Sequence, residues 1–355
     1  MFTALLYDTK RTYTENFENP PVYHPKVRLK GNPRVQIFGH NVHAPVGIAA
    51  GPLLNAEFIK AAVDMGANVV TYKTVRTGYR ECLPYPNCVY IKPGSEITPD
   101  GAAFAQDEKT DTITNSFGMP SSGPDVWMPD VERAQRYVDE NTGRVMIVSV
   151  VGTPDDQADD QIGHLANDYA RCAALAKDAG ARAIELNLSC PNVRKDLGAI
   201  YTDKDLTARI VSATRKEIGK QIPLFIKVGF WEKSKVMREV TAAAVKSGVT
   251  GIVGINTISM KVSYPDGTLP LPGRETSGVC GKGIEWHAVK WLNSITDLRR
   301  EVGYDLVIGA SGGIMEGYEF EDRLYRGADF ALATTGAMLN PNIFVKSELF
   351  KGKIK

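Results

Sequence analysis

From residue 44 onward, short apolar runs alternate with longer stretches in which apolar residues recur three and four apart. APVGIAAG (44–51), NVVTYKT (68–74), RVMIVSV (144–150) and ARAIELNLSC (181–190) predict strands. So do IPLFIKVG (222–229), TGIVGINT (250–257), DLVIGASG (305–312) and the start of ADFALATTGAML (328–339). Between them, segments such as AEFIKAAVDMG, GHLANDYARCAALAKDAG and SKVMREVTAAAVKSG predict amphipathic helices closed by glycine. Continuously apolar strands alternating with helices imply a parallel sheet covered by helices. Eight such units in about 300 residues favour a closed (β/α)8 TIM barrel of the α/β class over an open doubly wound sheet.

Two stretches break the rhythm. A Gly/Pro/Thr-rich stretch from Val75 to about Pro129 follows the second strand, and residues 258–283 follow the sixth. Both are far longer than the usual two to six residues of a βα loop. Residues 1–43 read as an N-terminal extension, with VRLKGNPRVQIFGHNVHAP forming a small hairpin across the barrel bottom. Residues 44–355 are expected to form one barrel domain, since no repeat, low-complexity tract or linker divides them.

Charge and composition then narrow the function. Forty-two basic residues against 41 acidic ones leave a formal charge of +1, which gives no global field for nucleic acid or anionic lipid. No apolar run approaches the ~20 residues of a membrane span, and the N-terminus makes a poor signal peptide. The five cysteines (Cys82, Cys88, Cys172, Cys190 and Cys280) are odd in number and lack C-x-x-C spacing. The five histidines form no H-E-x-x-H pair. A disulfide scaffold or metal site is therefore not expected, and a cytoplasmic location suits the thiols.

The polar residues collect where a barrel does its chemistry, at the C-terminal ends of strands. Lys73 follows NVVTY, Asn187 and Cys190 end AIELNLSC, Lys227 sits in LFIKVG, and Asn256 and Thr257 close GIVGINT. A lysine in an apolar strand needs an anionic or hydrogen-bonding partner; structural carboxylates would serve, and so would a ligand. Asparagine donates and accepts, so Asn115, Asn187, Asn192 and Asn256 would match an imide or pyrimidine edge. Ser311-Gly312-Gly313-Ile314 and Thr334-Thr335-Gly336-Ala337 follow the last two strands, where barrels keep phosphate sites. Cys190 is the expected base or nucleophile. Cys82, Cys88 and Cys172 read as buried, inert thiols, and Cys280, in a Gly-rich loop with Gly281, stays open.

Together ELNLSCPN (185–192), YKT (72–74), NSFGMP (115–120), IKVG (226–229), INT (255–257), SGGI (311–314) and TTGA (334–337) resemble the dihydroorotate dehydrogenases, in the order found there. The likeness covers about residues 35–345 and looks like the soluble class 1 form, with NSFGMP resembling the fumarate-using homodimers of class 1A. That resemblance implies FMN at the barrel mouth, lined by Ala49, Ala50 and Gly51. It implies that Lys73 contacts the ring region, Lys227 faces the N1/O2 edge, and Gly281, Gly312, Gly313, Thr335 and Gly336 take the phosphate. Asn115, Asn187, Asn192, Asn256 and Thr257 would hold the pyrimidine. The backbone N–H groups of Phe117, Gly118 and Met119 would hold its carboxylate, with Lys73 nearby. Cys190 would take the C5 proton as the C6 hydride passes to FMN N5. After CPN the chain reads VRKDLGAIY where the family has a V-P-G turn, so the cover over Cys190 is expected to differ. Two other readings stay open. One is an FMN enzyme for another pyrimidine ring, suggested by YPDGTLPLPGRETSGVCGKG (264–283) and its similarity to dihydropyrimidine dehydrogenase. The other is a flavin-free aldolase or lyase with Lys227 as Schiff-base amine. An iron–sulfur and FAD partner subunit, as in class 1B, is the alternative to a homodimer.

Overall fold

The computed structural model describes residues 1–189 and 199–354. After helix α1 (Tyr13–Glu18) and the antiparallel hairpin β1 (Val35–Ile37) and β2 (His40–Val42), the chain enters an eight-stranded parallel barrel. Its strands are β3 (Val46–Ile48), β4 (Val69–Val75), β8 (Val145–Val150), β9 (Ile184–Asn187), β10 (Leu224–Lys227), β11 (Gly251–Gly254), β14 (Val307–Ser311) and β15 (Phe330–Ala333), closed in that order. The helices α2 (Ala56–Met65), α3 (Pro124–Glu140), α4 (Gln161–Asp178), α5 (Lys204–Ile218), α6 (Ser234–Ser247), α7 (Glu285–Val302), α8 (Gly317–Tyr325) and α9 (Thr335–Leu339) alternate with them. This is the (β/α)8 architecture that the alternation predicts.

Local chemistry sets the element ends. The Asn55 side chain accepts hydrogen bonds from Glu57 N and Phe58 N, capping α2, and Gly66 closes that helix at a φ of 109°. All six residues of β8 are buried because helices cover one face of the strand and the barrel interior the other. The hairpin closes the barrel floor, as its sequence suggests. Ile37 and Val42 pack into the interior with Val69, Ile147, Phe225 and Phe330, and the Phe38 ring meets Phe225 at 5.0 Å and Phe330 at 5.6 Å.

The two insertions depart from a loop reading. They contain β5 (Cys88–Ile91), β6 (Ala102–Gln106), β7 (Thr112–Asn115), β12 (Ile258–Ser263) and β13 (Thr276–Gly281). These strands pair across the two segments into a second closed sheet, in the order β12-β13-β7-β5-β6. Strands of four to six residues broken by Gly and Pro carry little local signal, and Asn115 meets its partner Gly278 only in tertiary structure. The N-terminal extension departs too. Beyond the floor hairpin it reaches the opposite end of the barrel, where Tyr7 and Tyr13 lie edge-on to Phe117. Among the described residues, no helix is long and apolar enough to cross a membrane.

Candidate active site at the barrel mouth

A cavity lies between the C-terminal ends of the barrel strands and the five-stranded sheet. Of the residues singled out above, the structure brings Ala50, Gly51, Lys73, Asn115, Phe117, Gly118, Met119, Asn187, Lys227, Asn256 and Thr257 to its wall. Cys190 and Asn192 lie outside the described residues. Ala49 does not reach the cavity wall; it packs into the barrel interior with the floor residues, because side chains alternate along a strand. Gly281, Gly312, Gly313, Thr335 and Gly336 stand one position from the lining residues Cys280, Ser311 and Thr334 or further back. Tyr7, Ser259, Ser277 and Met338 line the cavity without a signal in the sequence pattern, as does Thr74, which belongs to the YKT motif but carries no role implied by it. The five-stranded sheet and the N-terminal segment bring most of them there.

Lys73 reaches the mouth through an irregularity in β4. The register against β8 shifts between Tyr72 and Val75, so Lys73 and Thr74 both line the cavity. The Lys73 ammonium lies 3.5 Å from the Gly51 carbonyl, 5.7 Å from the centre of the Tyr13 ring and 5.5 Å from that of Phe117. Burial pulls its pKa down to about 8. Lys227, at the end of β10 and 2 % exposed, makes no hydrogen bond to any described residue. Burial pulls it below the usual lysine range, and Glu185 pulls it back up.

The loop after β7 turns its carbonyls toward the protein. Gly118 and Met119 take φ values of 75° and 50°, a left-handed pair that glycine makes affordable at the first position. The Phe117, Gly118 and Met119 carbonyls accept from Leu83 N, Arg80 Nε and Arg76 Nε at 3.0, 2.9 and 3.1 Å. No described residue accepts from the N–H groups of these three residues. Successive N–H groups beside an ammonium can hold an anion.

The asparagines are held but not saturated. Asn187 donates weakly to Thr74 Oγ1 at 3.4 Å and to Met119 Sδ at 3.5 Å, while its carbonyl accepts from Ser189 N and Oγ. Asn115 donates to the Gly278 carbonyl at 3.3 Å and to Cys280 Sγ at 3.4 Å. Cys88 and Cys280 also line the cavity; burial pushes both thiols up, which makes them poor bases. Cys172 lies in the core of α4.

The two glycine loops after β14 and β15 touch. A Cβ on Gly336 would sit 2.3 Å from the Ile314 carbonyl, so only glycine allows this approach. Glu319 anchors the first loop by accepting from Met315 N and Glu316 N at 2.5 and 2.9 Å, and Lys282 bridges Glu319 and Glu285 at 2.6 Å each. The sequence pattern did not single out this network, in which Lys282 and Glu319 stand 37 residues apart.

The family model described as dihydroorotate dehydrogenase matches residues 33–350. A dihydroorotate dehydrogenase of Dictyostelium discoideum is 34 % identical, with 96 % of each chain covered. A dihydroorotate dehydrogenase (quinone) of Neisseria meningitidis serogroup B is 28 % identical over 88 % of this chain and 85 % of its own. The NAD(+)-type dihydroorotate dehydrogenase B catalytic subunit of Methanopyrus kandleri is 25 % identical, with 85 % of each covered.

Proposed function

Since this chain belongs to the dihydroorotate dehydrogenase family, we propose that its mouth cavity oxidises dihydroorotate to orotate, a step of pyrimidine biosynthesis, with FMN as cofactor. The observation that carries this reading is the meeting of the half-buried Lys73 and the buried Lys227 with the N–H groups of Phe117, Gly118 and Met119, unbonded among the described residues, in one cavity. Lys227, a buried ammonium without a hydrogen-bond partner among the described residues, fits a ring that gains negative charge. FMN, when bound, supplies the two-electron acceptor for the C6 hydride. Lys73 and the 117–119 loop hold the substrate carboxylate, and Asn115, Asn187, Asn192, Asn256 and Thr257 orient its ring. Cys190 takes the C5 proton. Ala50 and Gly51 stand beside the cofactor, and the loops of Gly312, Gly313, Thr335 and Gly336, with Gly281, take its phosphate.

Dihydrouracil carries no carboxylate and would leave Lys73 and the 117–119 loop without a partner, which is why dihydroorotate is favoured. A Schiff-base lyase would use Lys227 alone and leave the asparagines idle. Fumarate as acceptor, a homodimer and a cytoplasmic location belong to the same proposal; fumarate is a dicarboxylate and suits the same anion site. The test is anaerobic mixing of the yellow protein with dihydroorotate or dihydrouracil. Dihydroorotate is expected to bleach the flavin; bleaching by dihydrouracil alone would overturn the assignment.

The Lys73 ammonium also sets an expected pH dependence. With a pKa of about 8, Lys73 is charged below that pH and neutral above it. Orotate should therefore bind about tenfold more weakly at pH 9 than at pH 7, one pKa unit on either side. The measurement is a spectral titration of the oxidised Cys190→Ala protein, which keeps the thiolate out of the profile. Lys73→Met should bind weakly at both pH values, and a flat profile with Lys73 present would contradict its role.

A further inference from the structure

The barrel interior holds a carboxyl that the reaction, as written above, does not use. Glu185 precedes Asn187 by two residues on β9, and both face inward. In the register of β9 with β10, Asn187 is level with Lys227 and Glu185 is level with Phe225, one step deeper. Glu185 is 1 % exposed, and among the described residues neither carboxyl oxygen has a hydrogen-bond partner of good geometry, although the Ser149 hydroxyl is near enough to favour its charged form. An isolated buried carboxylate is costly, so such a group is either neutral or balanced by a nearby charge. Lys227 on β10 is the charged group that bears on it; burial pushes the carboxyl up, and Lys227 and then the Ser149 hydroxyl act against that. The neighbouring β8 presents Ser149, the register partner of Glu185; β4 adds the buried Thr71 hydroxyl, level with Ile147, and other interior positions such as Val253, Phe330 and Leu332 are apolar.

A line of polar groups joins this carboxyl to the cavity. Asn187 Nδ2 lies 3.4 Å from Thr74 Oγ1, and Thr74 Oγ1 lies 3.0 Å from Ser149 Oγ, beside Glu185. Asn187 and Thr74 line the cavity. Two hydroxyls in series, each able to donate and accept, form a route along which a proton can pass.

Resting on the FMN reading above, we propose that Glu185 is the redox-linked proton acceptor of this site, taking a proton when the flavin is reduced and releasing it on reoxidation. The charges balance. Oxidised flavin that gains two electrons and one proton becomes a monoanion, and the Glu185 carboxylate gains one proton from solvent and becomes neutral. No bond to carbon forms at Glu185. The Lys227 ammonium, no longer balanced by Glu185, is left to offset the charge on the reduced ring. Glu185 is thus a positioning residue: it acts on the flavin through Lys227.

The test is a reduced-minus-oxidised infrared difference spectrum of the flavin-loaded protein, beside the pH dependence of its midpoint potential. A protonated-carboxyl band, shifted in D2O, should appear on reduction and be absent in Glu185→Gln. The wild type should take up about two protons per two electrons and the variant about one, while the reduced flavin's own absorption shows the same protonation in both. A carboxyl that stays protonated, or stays ionised, in both redox states would overturn the proposal. So would an unchanged proton count in Glu185→Gln. The infrared measurement on the wild type decides the matter even if the variant does not fold. Protein that binds no flavin, or flavin that dihydroorotate does not bleach, would instead overturn the functional reading beneath it.

Discussion

Cys190→Ala protein should keep its flavin and still bind orotate, yet reduce that flavin with dihydroorotate about 10²- to 10⁴-fold more slowly at neutral pH. Neither cofactor nor product binding needs the thiol, whereas the C5 proton needs an acceptor. A free thiol titrates near about 8.5, so a few per cent is thiolate at neutral pH unless its surroundings change that. The wild-type rate of flavin reduction should therefore rise with pH until the thiolate is fully formed. Cys190→Ser should be similarly slow, with residual activity climbing toward high pH, because a hydroxyl is the weaker base. Burial pushes Cys82, Cys88, Cys172 and Cys280 up, away from the thiolate, which makes them poorer bases. Stopped-flow reduction of the two variants decides this. A near-wild-type rate in Cys190→Ala would mean that another group takes the proton.

Replacing Lys227 by methionine, which keeps the length of the side chain without its charge, should slow flavin reduction about 10²- to 10³-fold or release the flavin altogether. The reason is differential: the ammonium matters most when the ring carries negative charge, so the reduced state loses more than the oxidised one. The substitution also removes the positive charge that holds down the pKa of the buried Glu185 carboxyl, so some loss of stability is expected as well. The double variant Lys227→Met/Glu185→Gln separates the two effects. Its melting temperature should recover toward wild type while its reduction rate stays low. Recovery of the rate together with stability would mean that Lys227 serves the fold and not the chemistry.

The barrel was legible because its information is local. Each strand is buried on both faces, so runs such as VMIVSV are apolar throughout, and the helices between them show one apolar side. The site was legible for a related reason. A polar residue that ends an apolar strand can only emerge at the mouth, and Lys73, Asn187, Lys227 and Asn256 therefore announced themselves. What pairs with what was not local. The five-stranded sheet joins residues 88–115 to residues 258–281, and no periodicity within either segment specifies the other. Tyr7 reaches the cavity from a segment read as an extension, since its place depends on packing against Phe117. The register shift in β4 lets Lys73 and Thr74 share a wall that strict alternation would have denied one of them, while alternation kept Ala49 inside. Glu185 belongs to the same lesson. In the sequence it is one more residue of ELNLSC; the β9–β10 register sets it one step below Lys227, whose charge bears on it. Residue patterns carry burial, because burial is a property of each position. Pairing of charges and strands is a property of two positions, and the chain reveals it only once folding has brought them together.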